Sequence, residues 1–296
     1  MSDAQFTLLE NRRLIRLEGE DTRSFLQGLI SNDVDKVTME QAIYAAFLTP
    51  QGKYLFDFFV FVMDGAFWLD CEAARAEEFR TRLSRYRLRS KVTIEDGGTG
   101  YSIAAVFGGS APAKLGLSDI AGHTAKFDGG VAFTDPRLAK AGARAVLPAD
   151  AAGKALTGAG LTETPFDVYD AHRIGLGLPD GSRDMVVEKT ILLEAGFEEL
   201  NGVDWDKGCY LGQELTARTH YRGLVKRRIV PVAIDGASPA PGTPILRDGK
   251  EVGEVRSSVP GAGIAMMRLE HLAEGGGDFT AGEARLTPRK PEWAAF

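Results

Sequence analysis

Apolar and polar positions alternate in short blocks, which predicts many small elements rather than a few long ones. Residues 54–62 form a nearly unbroken aromatic and β-branched run, Asp64-Gly65 interrupts it, and Phe67-Trp68-Leu69 resumes it. An Asp-Gly pair between two such runs predicts a β-hairpin. Upstream, two short strands are expected at residues 6–9 and 14–17, with Asn11-Arg12 as the turn. Gly19 and the acidic pair Glu20-Asp21 then announce a helix whose apolar face is Phe25-Leu26 with Leu29-Ile30. Residues 73–89 have helical spacing, with Phe79, Leu83 and Tyr86 on one face and many arginines on the other. Short strands follow at 91–94, 103–107, 131–133 and 143–147.

Pro165 suits the first turn of a helix running to about Ile174. Residues 175–209 read as mostly irregular, and loops that long usually line a site. Residues 213–221 suit a short helix stopped by Gly223. After Lys226 the pattern changes to short strands at 228–234, 243–246, 251–257 and 263–267, joined by Pro- and Gly-rich turns, as in a small β module. Two domains are therefore expected, residues 1–225 and 226–296. No repeat appears, and the one low-complexity tract is Gly275-Gly276-Gly277.

Composition narrows the classes. The 296 residues suffice for one large or two modest cores, and 44% hydrophobic with 26% charged residues is ordinary for a globular chain. A formal net charge of -6 argues against default adhesion to nucleic acid or anionic membrane. Two cysteines, Cys71 and Cys209, are too few for a disulfide scaffold and too far apart for a zinc cluster. The four histidines lack metal-ligand spacing, and no metal site is expected. Met1-Ser2-Asp3-Ala4-Gln5 does not read as a signal peptide, and the longest apolar stretch, 58–63, is too short to span a bilayer. A cytoplasmic location is expected.

Candidate chemistry concentrates at Lys207-Gly208-Cys209-Tyr210-Leu211-Gly212-Gln213-Glu214. Cys209 falls shortly before a helix start and near cationic residues, both of which stabilise a thiolate. It can equally be a buried, inert small residue. Cys71 has no basic neighbour before Arg75 and reads as packing. Arg218, His220, Arg222, Lys226, Arg227 and Arg228 either hold an anion or form a solvated face. Glu194, between Ile191-Leu192-Leu193 and Ala195-Gly196, is either a surface acid or a buried one whose partner a ligand would supply.

These residues carry a family likeness. The segment 207–214 resembles the signature of YgfZ-type folate-binding proteins, and Leu215-Thr216-Ala217-Arg218-Thr219-His220 is similar to their mitochondrial iron–sulfur-assembly relatives. Phe25-Leu26-Gln27-Gly28 with Ser31-Asn32-Asp33-Val34 resembles the family's first motif. Thr49-Pro50-Gln51-Gly52-Lys53 with Asp57 resembles its second. Arg173-Ile174-Gly175, Gly177-Leu178-Pro179, Asp184 and Leu193-Glu194-Ala195 resemble the approach to the cysteine motif.

The wider superfamily includes the aminomethyltransferase, or T-protein, of the glycine cleavage system. The resemblance implies an α+β fold, a three-lobed T-protein-like folate-binding body with a small C-terminal β-barrel. It implies tetrahydrofolate as cofactor, Cys209 as the functional residue, and Glu194, Asn32, Asp33, Asp57, Tyr210 and Arg228 around the folate, with Glu194 on the pterin ring. Phe56 stands where T-protein carries the first of two adjacent aspartates, and Cys209 where it tends to have an acid. Both departures favour maturation or repair of iron–sulfur proteins over one-carbon transfer, with a tRNA-modification accessory role third. The implied partners are folate and iron–sulfur assembly or client proteins.

Overall fold

The run at residues 54–63 becomes the second strand of a five-stranded sheet, in the spatial order Ile43–Leu48, Tyr54–Met63, Ala66–Glu72, Arg12–Glu18, Thr93–Asp96. Nine of the ten residues of Tyr54–Met63 are buried, as a strand covered on both faces requires. The hairpin expected at Asp64-Gly65 forms, with Met63 opposite Ala66 and Phe58 opposite Cys71. Structure is described, from a computed structural model, for residues 4–273 and 278–296. Met1-Ser2-Asp3 and the Gly275-Gly276-Gly277 tract lie outside the described residues.

A second sheet has six strands in the order Thr162–Glu163, Gln5–Leu8, Tyr101–Phe107, Ala143–Pro148, Gly130–Thr134, Thr124–Phe127. Phe6, Ala104, Val106, Ala145, Leu147 and Leu156 lie in one cluster against it. The two strands expected on either side of Asn11-Arg12 do not pair with each other. Gln5–Leu8 joins this sheet while Arg12–Glu18 joins the first. Leu9 donates to the Ile103 carbonyl, so the chain leaves one ladder only just before it enters the next.

The C-terminal strands close into a barrel, in the order Arg227–Asp235, Ala262–Arg268, Lys250–Val259, Pro244–Arg247, Phe279–Ala281, Ala284–Pro288. Closure leaves no free strand edge. Val230, Val232, Ile245, Val252, Val255, Met267 and Leu286 fill its core. The α+β fold with a small C-terminal barrel is the architecture the resemblance implied.

The described chain divides into two compact units. One comprises Met1–Leu48, Leu55–Tyr169 and Leu200–Leu211; the other comprises Thr49–Tyr54, Asp170–Glu199 and Gly212–Phe296. The barrel therefore shares its unit with three earlier stretches of chain. Arg173 is the polar centre of that unit, buried to 1% exposure. Its guanidinium donates to Asp170 at 2.6 Å, Asp184 at 2.6 Å, the Leu178 carbonyl at 3.0 Å and Ser257 of the barrel at 3.0 Å. The Arg173 and Asp184 motif residues thus tie the helix Phe166–Gly175 to the strand Lys250–Val259.

Candidate functional site

Within the first unit, the cysteine segment is strapped to the end of the helix Thr22–Gln27. A helix end leaves carbonyls without internal partners, and here a lysine takes the last one together with a carbonyl just beyond the helix. The Lys207 ammonium donates to the Gln27 and Ile30 carbonyls, each at 2.7 Å, and lies 4.9 Å from the centre of the Tyr210 ring. Leu211 N–H donates to the Gly28 carbonyl at 3.0 Å. Between these anchors Gly208 adopts φ +88°, a region open to glycine, and a side chain there would meet nothing within 4 Å. Cys209 is exposed and Tyr210 is buried. Burial pushes the Lys207 amine down to about 8.

The first motif supplies the platform. Gln27 donates to Asp33 at 2.7 Å and accepts from the Val34 N–H at 2.8 Å. Asn32 donates to the carbonyls of Tyr44 and Asn201, at 2.8 and 2.7 Å, while its Oδ1 accepts from Asp33 N–H. Ser31 donates to the Gly202 carbonyl at 2.5 Å, and Lys36 pairs with Asp204. Asn32, expected on the folate, thus holds residues 25–34 and 201–211 together, and Asp33, expected there too, accepts from Gln27. Those two segments are about 170 residues apart, and no local pattern signals their meeting.

Asp57 is buried and accepts from the Tyr44 hydroxyl at 2.8 Å. Burial, reinforced by Asp57, raises the Tyr44 phenol well above its ordinary value, so the hydroxyl stays a donor. Side chains alternate along a strand, and Phe56 enters a different environment from Asp57. Its ring stacks on Phe79 at 4.6 Å and lies 4.1 Å beneath the Arg75 guanidinium. Cys71 is buried, and burial pushes its thiol up to about 12.

The second unit holds Glu194 and the basic cluster. Glu194 is buried, in the short turn Leu192–Ala195, and its expected partner proves to be protein. Arg227 donates to Oε1 at 2.9 Å, and Ile191 N–H reaches Oε2 at 3.3 Å. Arg228 is buried and donates to Glu199 at 2.9 Å, with the Phe296 ring 5.0 Å from its guanidinium. His220 lies 2.9 Å from Glu198. Three of the six basic residues are therefore matched by acids, while Arg218, Arg222 and Lys226 are exposed. Sequence reasoning missed Glu198, Glu199 and the Glu194–Arg227 pair, although each acid is visible in the sequence near the cysteine motif.

The second motif packs in this unit as well. The Gly52 backbone, at φ +81°, approaches the start of the helix Gln213–Tyr221 so closely that a Cβ would sit 2.6 Å from the Gly212 carbonyl and from Leu215 Cβ. Among the described residues no group of three or more His, Cys, Asp or Glu is placed to hold a metal ion. No described helix is long and apolar enough to cross a membrane.

Comparison with known proteins places this geometry in a family. Residues 9–125 match the GCVT N-terminal domain, and residues 226–296 match the CAF17 C-terminal beta-barrel domain. The solved structure of glycine cleavage system aminomethyltransferase T from Bartonella henselae superposes with a TM-score of 0.81, covering 99% of this chain and 87% of that one. At 17% identity that likeness shows the fold alone.

The chain is 32% identical over 284 residues to the iron-sulfur cluster assembly factor IBA57, mitochondrial, of Homo sapiens, covering 89% of this chain and 77% of that protein. It is 31% identical over 309 residues to the Mus musculus protein of the same name, covering 96% and 84%. These relatives are named as mitochondrial, which corrects the expected cytoplasmic location. A low cysteine count speaks for a reducing compartment but does not say which one. The relatives also refine the YgfZ-type resemblance. With identity above 30% along most of both sequences, the chain belongs to the IBA57 family.

Proposed function

We infer that this protein assists the assembly or repair of iron–sulfur proteins, with Cys209 as its functional thiol and a reduced folate as its cofactor. The observation that carries this reading is the strapping of an exposed cysteine. Lys207 and Leu211 fix both sides of Cys209 to the carbonyls of residues 27–30, leaving the thiol in solvent. Cysteine sulfur is the usual protein ligand of iron–sulfur clusters. A thiol presented from a fixed backbone can meet a cluster or a client without rearrangement. The name carried by the relatives, iron-sulfur cluster assembly factor, supports the same class of role.

Glu194 supports the folate part. A carboxylate has about four acceptor positions, and Oε2 of Glu194 receives only the long 3.3 Å bond from Ile191. A 2-amino-4-oxopyrimidine edge offers two parallel N–H donors suited to such an acid. Arg228 Nε is a buried donor with no hydrogen-bond partner, and fits an acceptor on the same class of ligand. In this reading Asn32 positions the Cys209 strap through the Asn201 carbonyl.

Aminomethyl transfer is disfavoured because the apolar Phe56 ring is locked between Phe79 and Arg75. A tRNA accessory role leans on the basic cluster, whose charge Glu194, Glu198 and Glu199 partly cancel.

Rescue of a [4Fe–4S] client enzyme in cells lacking this protein tests the thiol. Wild type restores client activity and Cys209→Ala does not; full rescue by the variant overturns the role of Cys209. Calorimetry with tetrahydrofolate tests the cofactor. Glu194→Ala loses a charged hydrogen-bonding partner and binds about tenfold more weakly. Absence of binding by the wild type removes the folate from the reading.

A further inference from the structure

Between Phe79 and Ile94 the chain carries Arg80, Arg82, Arg85, Arg87, Arg89 and Lys91 and no acidic residue, in a protein whose net charge is -6. Arg80 and Arg82 pair with Glu77 and Glu78 on the helix Ala76–Tyr86, and Lys91 pairs with Glu20. Arg85, Arg87 and Arg89 have no carboxylate partner among the described residues. All five residues from Arg85 to Arg89 are exposed, and they read Arg-Tyr-Arg-Leu-Arg.

Leu88, at the centre of this segment, is 88% exposed, the highest value for a large apolar side chain among the described residues. It also adopts φ +44°, a region that a branched apolar residue seldom occupies. A residue placed this way is held there by its surroundings, and the turn is indeed seated. Ser90 N–H donates to the Arg87 carbonyl at 2.8 Å, and Lys91 N–H to the Asp21 carboxylate at 2.8 Å. The Lys91 carbonyl lies against Gly19, where a Cβ would come within 2.0 Å of it. The Tyr86 ring is braced edge-on against Phe47 at 5.8 Å. Beside Leu88 lies a shallow, open depression lined by Asp21, Leu88, Arg89 and Ser90.

We propose that residues 85–89 are a docking surface for an acidic segment of a protein partner that carries an apolar residue at its centre. Three unneutralised guanidiniums complement carboxylates, and Arg is among the residue types enriched at protein interfaces. The exposed leucine distinguishes a protein from a nucleic acid. It contributes nothing to phosphate contacts, and the one aromatic ring of the segment is already engaged by Phe47. The net negative charge of the chain repels a long polyanion more strongly than a short acidic peptide. The proposal involves neither Cys209 nor the folate.

Fluorescence anisotropy on the full chain tests it, using a labelled twelve-residue peptide of glutamate and aspartate flanking a central Leu-Phe pair. Leu88→Gly is the decisive variant, because glycine adopts φ +44° freely and the fold is spared. Loss of a buried leucine contact weakens peptide binding about tenfold. Charge reversal by Arg87→Glu weakens it further, and the effect fades with added salt. Controls are the same peptide with lysines in place of its acids, and a twenty-nucleotide oligouridine RNA. Absence of peptide binding overturns the proposal. So does equal binding by Leu88→Gly, which reduces the segment to a generic basic face, or tighter binding of the RNA than of the peptide.

Discussion

The Lys207 ammonium donates to the Gln27 carbonyl at 2.7 Å, tying the residue two before Cys209 to the end of the helix Thr22–Gln27. Replacing Lys207 with Met removes this bond and its companion to Ile30. The expected cost is about 1–2 kcal/mol, at the low end for charged donors because the side chain is half-buried. Hydrogen exchange should speed up at the Leu211 amide, whose bond to Gly28 the strap supports. Unchanged protection there would show that Lys207 does not hold the loop.

The same lysine predicts a pH signature. Burial sets its amine at about 8, below the ordinary lysine value of 10.5. Between those two values the unfolded chain binds more protons than the folded one, so this group makes stability rise with pH. Below about pH 8 both states are protonated and the dependence vanishes. Urea unfolding at pH 7, 8.5 and 10 should show wild type gaining stability relative to Lys207→Met across that window.

Gly52 offers a steric test. Gly52→Ala puts a Cβ 2.6 Å from the Gly212 carbonyl at a backbone angle of +81°. The expected loss is about 2–4 kcal/mol, since strain and overlap add. Gly65→Ala is the control. Its angle is +76° but nothing lies within 4 Å, so only the conformational cost of about 1–2 kcal/mol remains. Equal losses, read from denaturant midpoints, would mean the contact with Gly212 is unimportant.

Acid should loosen the Arg173 centre. Burial alone would raise the Asp170 carboxyl, but Arg183 and Arg173 outweigh it and hold the carboxyl below the usual range. Stability from this group is complete above about pH 4, the ordinary carboxylate value. It is lost as pH falls through the lowered folded value. Asp170→Asn should cost about 3 kcal/mol at pH 7. The gap between wild type and variant, followed by unfolding from pH 6 to 2.5, should close toward the acid end.

The two cysteines should part company under alkylation. Cys209 is exposed and Cys71 is buried with its thiol pushed up to about 12. Native protein should be modified at Cys209 alone, and Cys71 should react only after denaturation, as mass spectrometry of each peptide will show. Cys209→Ala should leave stability within about 0.5 kcal/mol of wild type.

Local chemistry determined a good part of this protein. The Asp64-Gly65 turn, the helix Gln213–Tyr221 ending before Gly223, and the first four barrel strands follow from turn residues and short-range periodicity, signals that act within a few positions. The strands Ile43–Leu48, Thr124–Phe127, Phe279–Ala281 and Ala284–Pro288 and the helix Ala152–Gly158 carry no such signal. Ile43–Leu48 is a short, wholly apolar run that periodicity alone assigns to neither strand nor helix, the others have few or small apolar residues, and pairing with distant partners decides them. Tyr86 was expected on the apolar face of its helix, yet it lies at the exposed end next to Leu88.

The candidate site shows the same division. Motif residues near Cys209, Gly52 and Glu194 could be picked out in the sequence, but their partners could not. Lys207 meets the Gln27 carbonyl 180 positions away, and Glu194 meets Arg227 across 33. Whether a carboxylate is buried, and whether an arginine or a ligand answers it, depends on desolvation and on groups brought close by folding. Tertiary structure alone decided that Asn32 braces the cysteine strap, that Arg173 joins a helix to the barrel, and that Cys209 stands in solvent while Cys71 does not.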